Sequence, residues 1–245
     1  MNNLPTVTKN LLIINVLMFL ATIVVQGRGI DLGDYLGLHF VLSDRFNAAQ
    51  LITYMFMHGG FTHLFFNMFA VWMFGRILEQ VWGPKRFLFY YLMCGIGAAL
   101  IQEGVNAAAY VMATEGLSPE AIDVVVREGS GVLQSQMNYV DPQMARLNIT
   151  LNSQTVGASG AVYAILLGFG MLYPNQQMFI FPLPFPIKAK YLVMGYALIE
   201  LLSGFANNPA DNVAHFAHLG GMIFGFILII YWRRKDRGNG YYYYH

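Results

Sequence analysis

Ser159 is a hydroxyl set among small residues in Gly157-Ala158-Ser159-Gly160-Ala161-Val162-Tyr163, where a backbone or a substrate can approach it closely. A serine hydroxyl is a weak nucleophile that needs an adjacent base, and neutral imidazole serves near neutral pH. His218 is the candidate base. It lies in Ala217-His218-Leu219-Gly220-Gly221-Met222-Ile223-Phe224-Gly225, where His218, Gly221 and Gly225 share a helical stripe and the two glycines form G-x-x-x-G. Such a stripe lets a neighbouring helix come close. The tetrahedral intermediate of acyl transfer needs donors aimed at its oxyanion, each worth about 2.7–4 kcal/mol. His63 and Asn67 are four residues apart and share one helix face, so both can donate there together with the Ser159 N–H. Tyr163, one turn after Ser159, is placed to pack on the His218 ring. No carboxylate stands beside His218 in the sequence, so a Ser159–His218 dyad is expected.

Each of these residues has a plainer reading on its own. Small residues fill membrane-helix interfaces, and a single His or Asn inside a bundle often serves as interhelical hydrogen-bonding glue. His58 and His215 rival His218 as base, but neither carries the glycine stripe, and both are read as structural or loop-facing. Glu79 is expected to pair locally with Arg76. Glu200 lies deep in an apolar run, where a carboxylate is costly, and has no assigned role. A zinc protease needs H-E-x-x-H, which is absent; His215 and His218 are three apart with no glutamate between them. An aspartyl mechanism needs two deep carboxylates, and only Glu200 is deep. No metal and no cofactor are therefore expected.

The elements that must position these groups are apolar helices. The chain has 245 residues, 56% hydrophobic and 11% charged, with mean hydropathy +0.48. Soluble domains carry about 25% charged residues, so the composition indicates a membrane protein. The net charge of +1 gives no reason to expect nucleic acid as a partner, and the single Cys94 forms no intrachain disulfide. Six spans are expected at residues 11–26, 61–81, 86–101, 157–173, 187–205 and 213–232, in a single membrane domain over 1–245 with no soluble domain before or after it.

The first span, with Thr8 as its N-cap, is sixteen residues, short of the roughly 20 needed to cross. It lacks a cleavage site and is read as retained. Residues 27–50 form a mixed loop, and 51–57 a short interfacial segment broken by His58-Gly59-Gly60. The polar insertion 102–156 contains a helix opened by Ser118-Pro119-Glu120 and closing near Gly129. Asn148-Ile149-Thr150 fits a glycosylation sequon, a pattern common by chance. Pro182, Pro184 and Pro186 keep residues 174–186 extended.

With six spans both termini lie on one side. That side holds ten basic residues (Lys9, Arg76, Lys85, Arg86, Lys188, Lys190, Arg233, Arg234, Lys235 and Arg237) against four (Arg28, Arg45, Arg127 and Arg146) on the other. The excess places both termini in the cytoplasm of a multi-pass cell-membrane protein. Ser159 and His218 then sit toward the extracytoplasmic side.

Taken together these motifs resemble the rhomboid family of intramembrane serine proteases. The resemblance covers about residues 50–100 and 155–230. It rests on Met57-His58-Gly59-Gly60-Phe61-Thr62-His63-Leu64-Phe65-Phe66-Asn67-Met68, on Glu79 with Gly83-Pro84-Lys85-Arg86-Phe87, and on the Ser159 and His218 stretches above. It implies an all-α, six-helix membrane bundle with a water-filled cavity open to the outside. It implies Ser159 as nucleophile, His218 as general base, His63, Asn67 and the Ser159 N–H as oxyanion hole, and Tyr163 stacked on His218. Gly157, Gly221 and Gly225 support the arrangement. Substrates are transmembrane segments of other proteins, and the gate is expected in residues 191–205 and 206–212. Two features depart from the family's pattern: residues 27–50 contain no Trp-Arg pair, and the 102–156 insertion is long. The other readings are a non-catalytic relative that binds transmembrane clients and a small transporter. A transporter predicts internal repeats, and spans 1–3 and 4–6 show none.

Overall fold

The computed structural model of the chain describes residues 4–179, 185–206 and 213–238. Helix α1 is Thr6–Gln26, starting after Pro5 rather than at a Thr8 cap. Its 21 residues remove the shortfall expected of the first span. Few of its side chains are buried, and Leu17 and Val24 are exposed, as suits an apolar helix whose surroundings are lipid. Glu79 explains the start. Its carboxylate accepts from the N–H groups of Val7 (2.9 Å) and Thr8 (2.7 Å) and from Thr8 Oγ1 (2.8 Å). The orphan donors of a helix N-terminus need an acceptor, and an anion there also meets the favourable end of the helix dipole. This corrects the expected Glu79–Arg76 pair; Arg76 instead lies over the Trp72 ring at 5.0 Å.

After α1 come α2 (Leu32–Leu36), strand β1 (Leu38–His39), α3 (Gln50–Thr53) and a 3₁₀ turn at Tyr54–Phe56. Helices α4 (Phe61–Ala70) and α5 (Arg76–Trp82) form one span through a π-helical turn at Val71–Gly75. Gly83, at φ +78°, turns the chain in a conformation that suits glycine, and Pro84 opens α6 (Pro84–Thr114).

At 31 residues α6 runs well past the expected end at 101. Its length of about 46 Å exceeds a hydrocarbon core of about 30 Å. The apolar run stops near Gln102, but a helix continues in polar sequence once it leaves lipid. Its projecting end packs with α7 (Pro119–Gln134) and α8 (Pro142–Asn152) around Phe40, Ala113, Val125, Leu147 and Leu151. The insertion thus contains two helices where one was expected, and the first runs on to Gln134 rather than ending near Gly129. Each opens with a capped proline start, Ser118 accepting from Ala121 N–H and Asp141 from Gln143 and Met144 N–H. Asn148 is fully buried and donates to Asn138, so the folded chain does not present it as a glycosylation acceptor.

Strand β2 (Gln154–Thr155) pairs antiparallel with β1, tying the 27–50 loop to the approach of α9 (Ser159–Leu172). Strands β3 (Gln177–Met178) and β4 (Ile187–Lys188) form a small antiparallel ladder before α10 (Ala189–Ala206), and α11 (His215–Gly238) follows. Pro182, Pro184, most of the 206–212 link and the final tyrosines lie outside the described residues.

Among the described residues, five helices are long and apolar enough to cross a membrane: α1, the α4–α5 span, α6, α10 and α11. Helix α9 is shorter, at 14 residues or about 21 Å, and is buried on most sides. Small residues on α9 and α11 let the two helices close on each other. A Cβ on Gly221 would stand 1.9 Å from the Gly160 carbonyl oxygen, and one on Gly225 would meet Tyr90 Oη at 2.4 Å. Tyr90 Oη donates to the Ala164 carbonyl (2.7 Å), and Arg233 to the Met171 carbonyl (2.7 Å) near the end of α9. Arg86 forks onto Asp236 (2.9 and 3.0 Å). With Glu79 at the start of α1, these contacts gather the N-terminus of α1, the α5–α6 turn and the C-terminal ends of α9 and α11 at one end of the bundle. Ser159 and the α7–α8 pair lie at the other.

Candidate active site

Ser159 is the first residue of α9, and no side chain caps that helix. The first N–H groups of a helix have no intrahelical acceptor, so this end presents donors and a favourable dipole to an anion. Gly157 precedes it at φ +134°, in the region that favours glycine. A Cβ there would lie 2.7 and 2.8 Å from the His63 ring atoms Cε1 and Nε2 and 3.5 Å from Ser159 Oγ. The missing side chain is therefore the space between His63 and the serine. The Gly157 N–H is occupied, donating to the Tyr54 carbonyl at 2.9 Å.

His218 comes from α11, held against α9 by Gly221. Its Nε2 lies 2.8 Å from Ser159 Oγ. The Tyr163 ring stacks on it at 4.3 Å and 10° between planes. His63 and Asn67, on the inward face of α4, line the same cavity as Ser159, Tyr163, Gly157 and His218. The cavity holds about 810 Å³, inside the range of about 300–1,000 Å³ usual for ligand sites. The Asn67 side chain is buried, and its amide nitrogen has no hydrogen-bond partner among the described residues. A buried donor left without an acceptor costs about 1–3 kcal/mol. Because Asn67 lines the cavity, an oxygen bound there is the kind of acceptor that this amide lacks. All of Ser159, His218, His63, Asn67, Tyr163 and Gly157 thus converge on one place, while Gly221 and Gly225 act behind it through helix packing.

The two rival bases, His58 and His215, have other neighbours. His58, in the turn before α4, is buried and packs edge-on against the His63 ring at 5.1 Å. Burial, and then the neighbouring His63, push its pKa down to about 4, so it is neutral at physiological pH. His215 is not loop-facing: it begins α11, and its Nδ1 lies 2.6 Å from Glu200 Oε2.

Glu200 was missed as part of the site. From α10 its carboxylate reaches His215 Nδ1, His218 Nδ1 (2.9 Å) and the Tyr163 hydroxyl. The signal was the cost of a carboxylate inside an apolar helix, but sequence spacing cannot say which helix α10 faces. Glu200, His215 and His218 also form a three-residue group of potential metal ligands, with ligand atoms within 4.8 Å of one another. Two of those separations, 2.6 and 2.9 Å, are hydrogen-bonding distances. They are shorter than the about 3.3 Å between ligand atoms of a tetrahedral zinc with 2.0–2.1 Å bonds.

Comparison with known proteins agrees with the motifs. A family model described as "Rhomboid domain" matches residues 45–235. The chain is 27% identical to the Arabidopsis thaliana protein named "Rhomboid-like protein 16, chloroplastic", over 77% of this chain and 49% of that one. It is 27% identical to "Putative rhomboid protease YdcA" of Bacillus subtilis, over 77% and 69% of the two chains. It is 28% identical to "Rhomboid protease AarA" of Providencia stuartii, over 72% and 53%. The chain therefore spans about half the length of the first and third of these relatives.

Proposed function

The chain belongs to the rhomboid family, and from that premise we propose that it is a serine endopeptidase that cleaves transmembrane or juxtamembrane segments of other membrane proteins. One observation carries the reading. A serine hydroxyl at a helix N-terminus lies 2.8 Å from an imidazole nitrogen in a cavity lined by Asn67, whose amide donor has no partner among the described residues. A buried Ser–His contact serving packing alone would need neither the open space nor the donor.

In this reading Ser159 Oγ attacks the scissile carbonyl as His218 Nε2 takes its proton. Negative charge on the carbonyl oxygen is met by the Asn67 amide, by His63 and by the Ser159 N–H. His218 then returns the proton to the leaving amine, and water repeats the sequence on the acyl-enzyme. Tyr163 holds the imidazole flat through stacking.

The finer architecture belongs to the same proposal. Six spans arise if α9, at about 21 Å, counts as a crossing that stops short of the roughly 30 Å core. Its start would then lie below the membrane surface, with the cavity making up the difference for water. The basic residues near the Arg86–Asp236 end support cytoplasmic termini in a cell membrane, with Ser159 facing outward. Residues 1–245 form one membrane domain in this reading, with the lipid bilayer and transmembrane substrates as partners and no cofactor.

The test is cleavage of a transmembrane reporter in proteoliposomes together with fluorophosphonate labelling of Ser159. Cleavage with labelling is expected. Absence of both, with reporter still captured, would favour a client-binding relative. Asn67→Ala should lower kcat by about 10²–10³-fold, the effect of removing one oxyanion donor, with the protein still folded. An unchanged rate would take Asn67 out of the oxyanion hole. Activity should also survive EDTA. Inactivation by the chelator with recovery on added zinc would instead put Glu200, His215 and His218 to work as a metal centre.

A further inference from the structure

We infer that Glu200 is a positioning residue for His218, turning the expected dyad into a Ser159–His218–Glu200 triad whose third member is carried by α10. The inference rests on the protease reading above. Glu200 is 5% exposed in a helix apolar enough to span a membrane, where a carboxylate is costly unless several donors hold it. Three surround it. The Tyr163 hydroxyl donates to Oε1, and His215 Nδ1 (2.6 Å) and His218 Nδ1 (2.9 Å) lie against Oε2.

The His218 contact has a chemical consequence that the other two lack. Neutral imidazole carries one N–H. When a carboxylate holds the proton on Nδ1, Nε2 presents its lone pair, and Nε2 is the atom 2.8 Å from Ser159 Oγ. The carboxylate thereby selects the tautomer able to accept the serine proton. During attack the proton moves from Ser159 Oγ to Nε2 while the new bond forms between Oγ and the carbonyl carbon. His218 becomes imidazolium, and Glu200 stays ionised and stabilises it without receiving a proton. In the resting protein the Glu200 oxygen lies off the line of the Nδ1–H, leaving Nδ1 without a well-aligned acceptor. Such contacts commonly tighten only when the substrate complex forms.

Tyr163 reinforces the arrangement. It stacks on the imidazole and donates to the carboxylate, so one side chain of α9 fixes the relation between α10 and α11. Orientation of the base consequently depends on α10 being in place.

The test is steady-state cleavage of a reporter in proteoliposomes by wild type, Glu200→Gln, Glu200→Asp and Glu200→Ala, with thermal unfolding and the rate of Ser159 labelling by a fluorophosphonate. Glu200→Gln preserves shape but removes the charge. It should lower kcat by roughly a hundredfold, the lower end of a general base's contribution, leave KM within about twofold, and slow labelling in step. Glu200→Asp, which keeps the charge, should retain more kcat than Glu200→Gln. Wild-type kcat in the Gln and Ala variants overturns the inference, and so does a change confined to KM or one that merely follows lost thermal stability. Gln outperforming Asp overturns it as well. A wild type that neither cleaves nor labels overturns the protease reading itself, whereas an active wild type indifferent to Glu200 overturns only this triad.

Discussion

Replacing Ser159 by alanine is expected to lower kcat for reporter cleavage by at least about 10⁴-fold, with reporter binding and thermal stability unchanged. The size follows from the geometry. Oγ is the only hydroxyl that stands 2.8 Å from His218 Nε2 among the described residues, so no neighbour can take over the attack. The helix N-terminus, His63 and Asn67 would remain, and donors without a nucleophile accelerate only the attack of water. His218→Ala should cost a similar factor, because nucleophile and base act as a unit. The double variant should be little worse than either alone. Multiplicative losses would mean that the two residues act independently, and persistent cleavage by Ser159→Ala would end the serine mechanism.

The second large effect is structural. Gly221→Ala places a methyl group 1.9 Å from the Gly160 carbonyl oxygen and 2.6 Å from its carbonyl carbon. Those are backbone atoms next to the nucleophile and cannot swing aside. Overpacking commonly costs about 1–3 kcal/mol where side chains can adjust, and here two helices must part instead. The same parting moves His218 away from Ser159, and a displacement of about 1 Å can cost about 10²-fold in rate. Gly221→Ala is therefore expected to lower the unfolding temperature and kcat together. Gly195→Ala in α10 is the control, since nothing lies within 4 Å of its added methyl. Unfolding followed in detergent, beside cleavage in liposomes, checks both. Wild-type stability in Gly221→Ala would mean that α9 and α11 do not pack as closely as described.

Both predictions concern residues that were legible in the sequence. Ser159, His218, His63, Asn67 and Tyr163 announce themselves because polar groups are costly inside apolar helices, and their i, i+4 spacing assigns each pair to a face. Gly221 and Gly225 could be named as a close-packing stripe for the same geometric reason. The apolar runs marked the spans, and the Gly83-Pro84 turn marked the break between α5 and α6. Helix ends were less legible. Apolarity records where lipid stops, whereas a helix ends where its hydrogen bonds and caps do, so α6 ran on to Thr114 and α8 passed unnoticed despite its Asp141-Pro142 start.

Local spacing determined which residues share a face, which runs are helical and which side chains demand an explanation. It also carried the family resemblance, because that rests on short motifs in order along the chain. Tertiary structure alone decided which faces meet. Glu79 looked to Arg76, three residues away, yet its carboxylate serves the N-terminus of α1, more than seventy residues distant in the chain. Glu200 had no partner within its own helix and found three on two others. Carboxylates in an apolar bundle take the nearest available donors in space, and sequence neighbours enjoy no privilege once helices pack side by side. The distance between Ser159 and His218, separated by 59 residues, is likewise a property of the glycine contact between α9 and α11 and of nothing local to either residue.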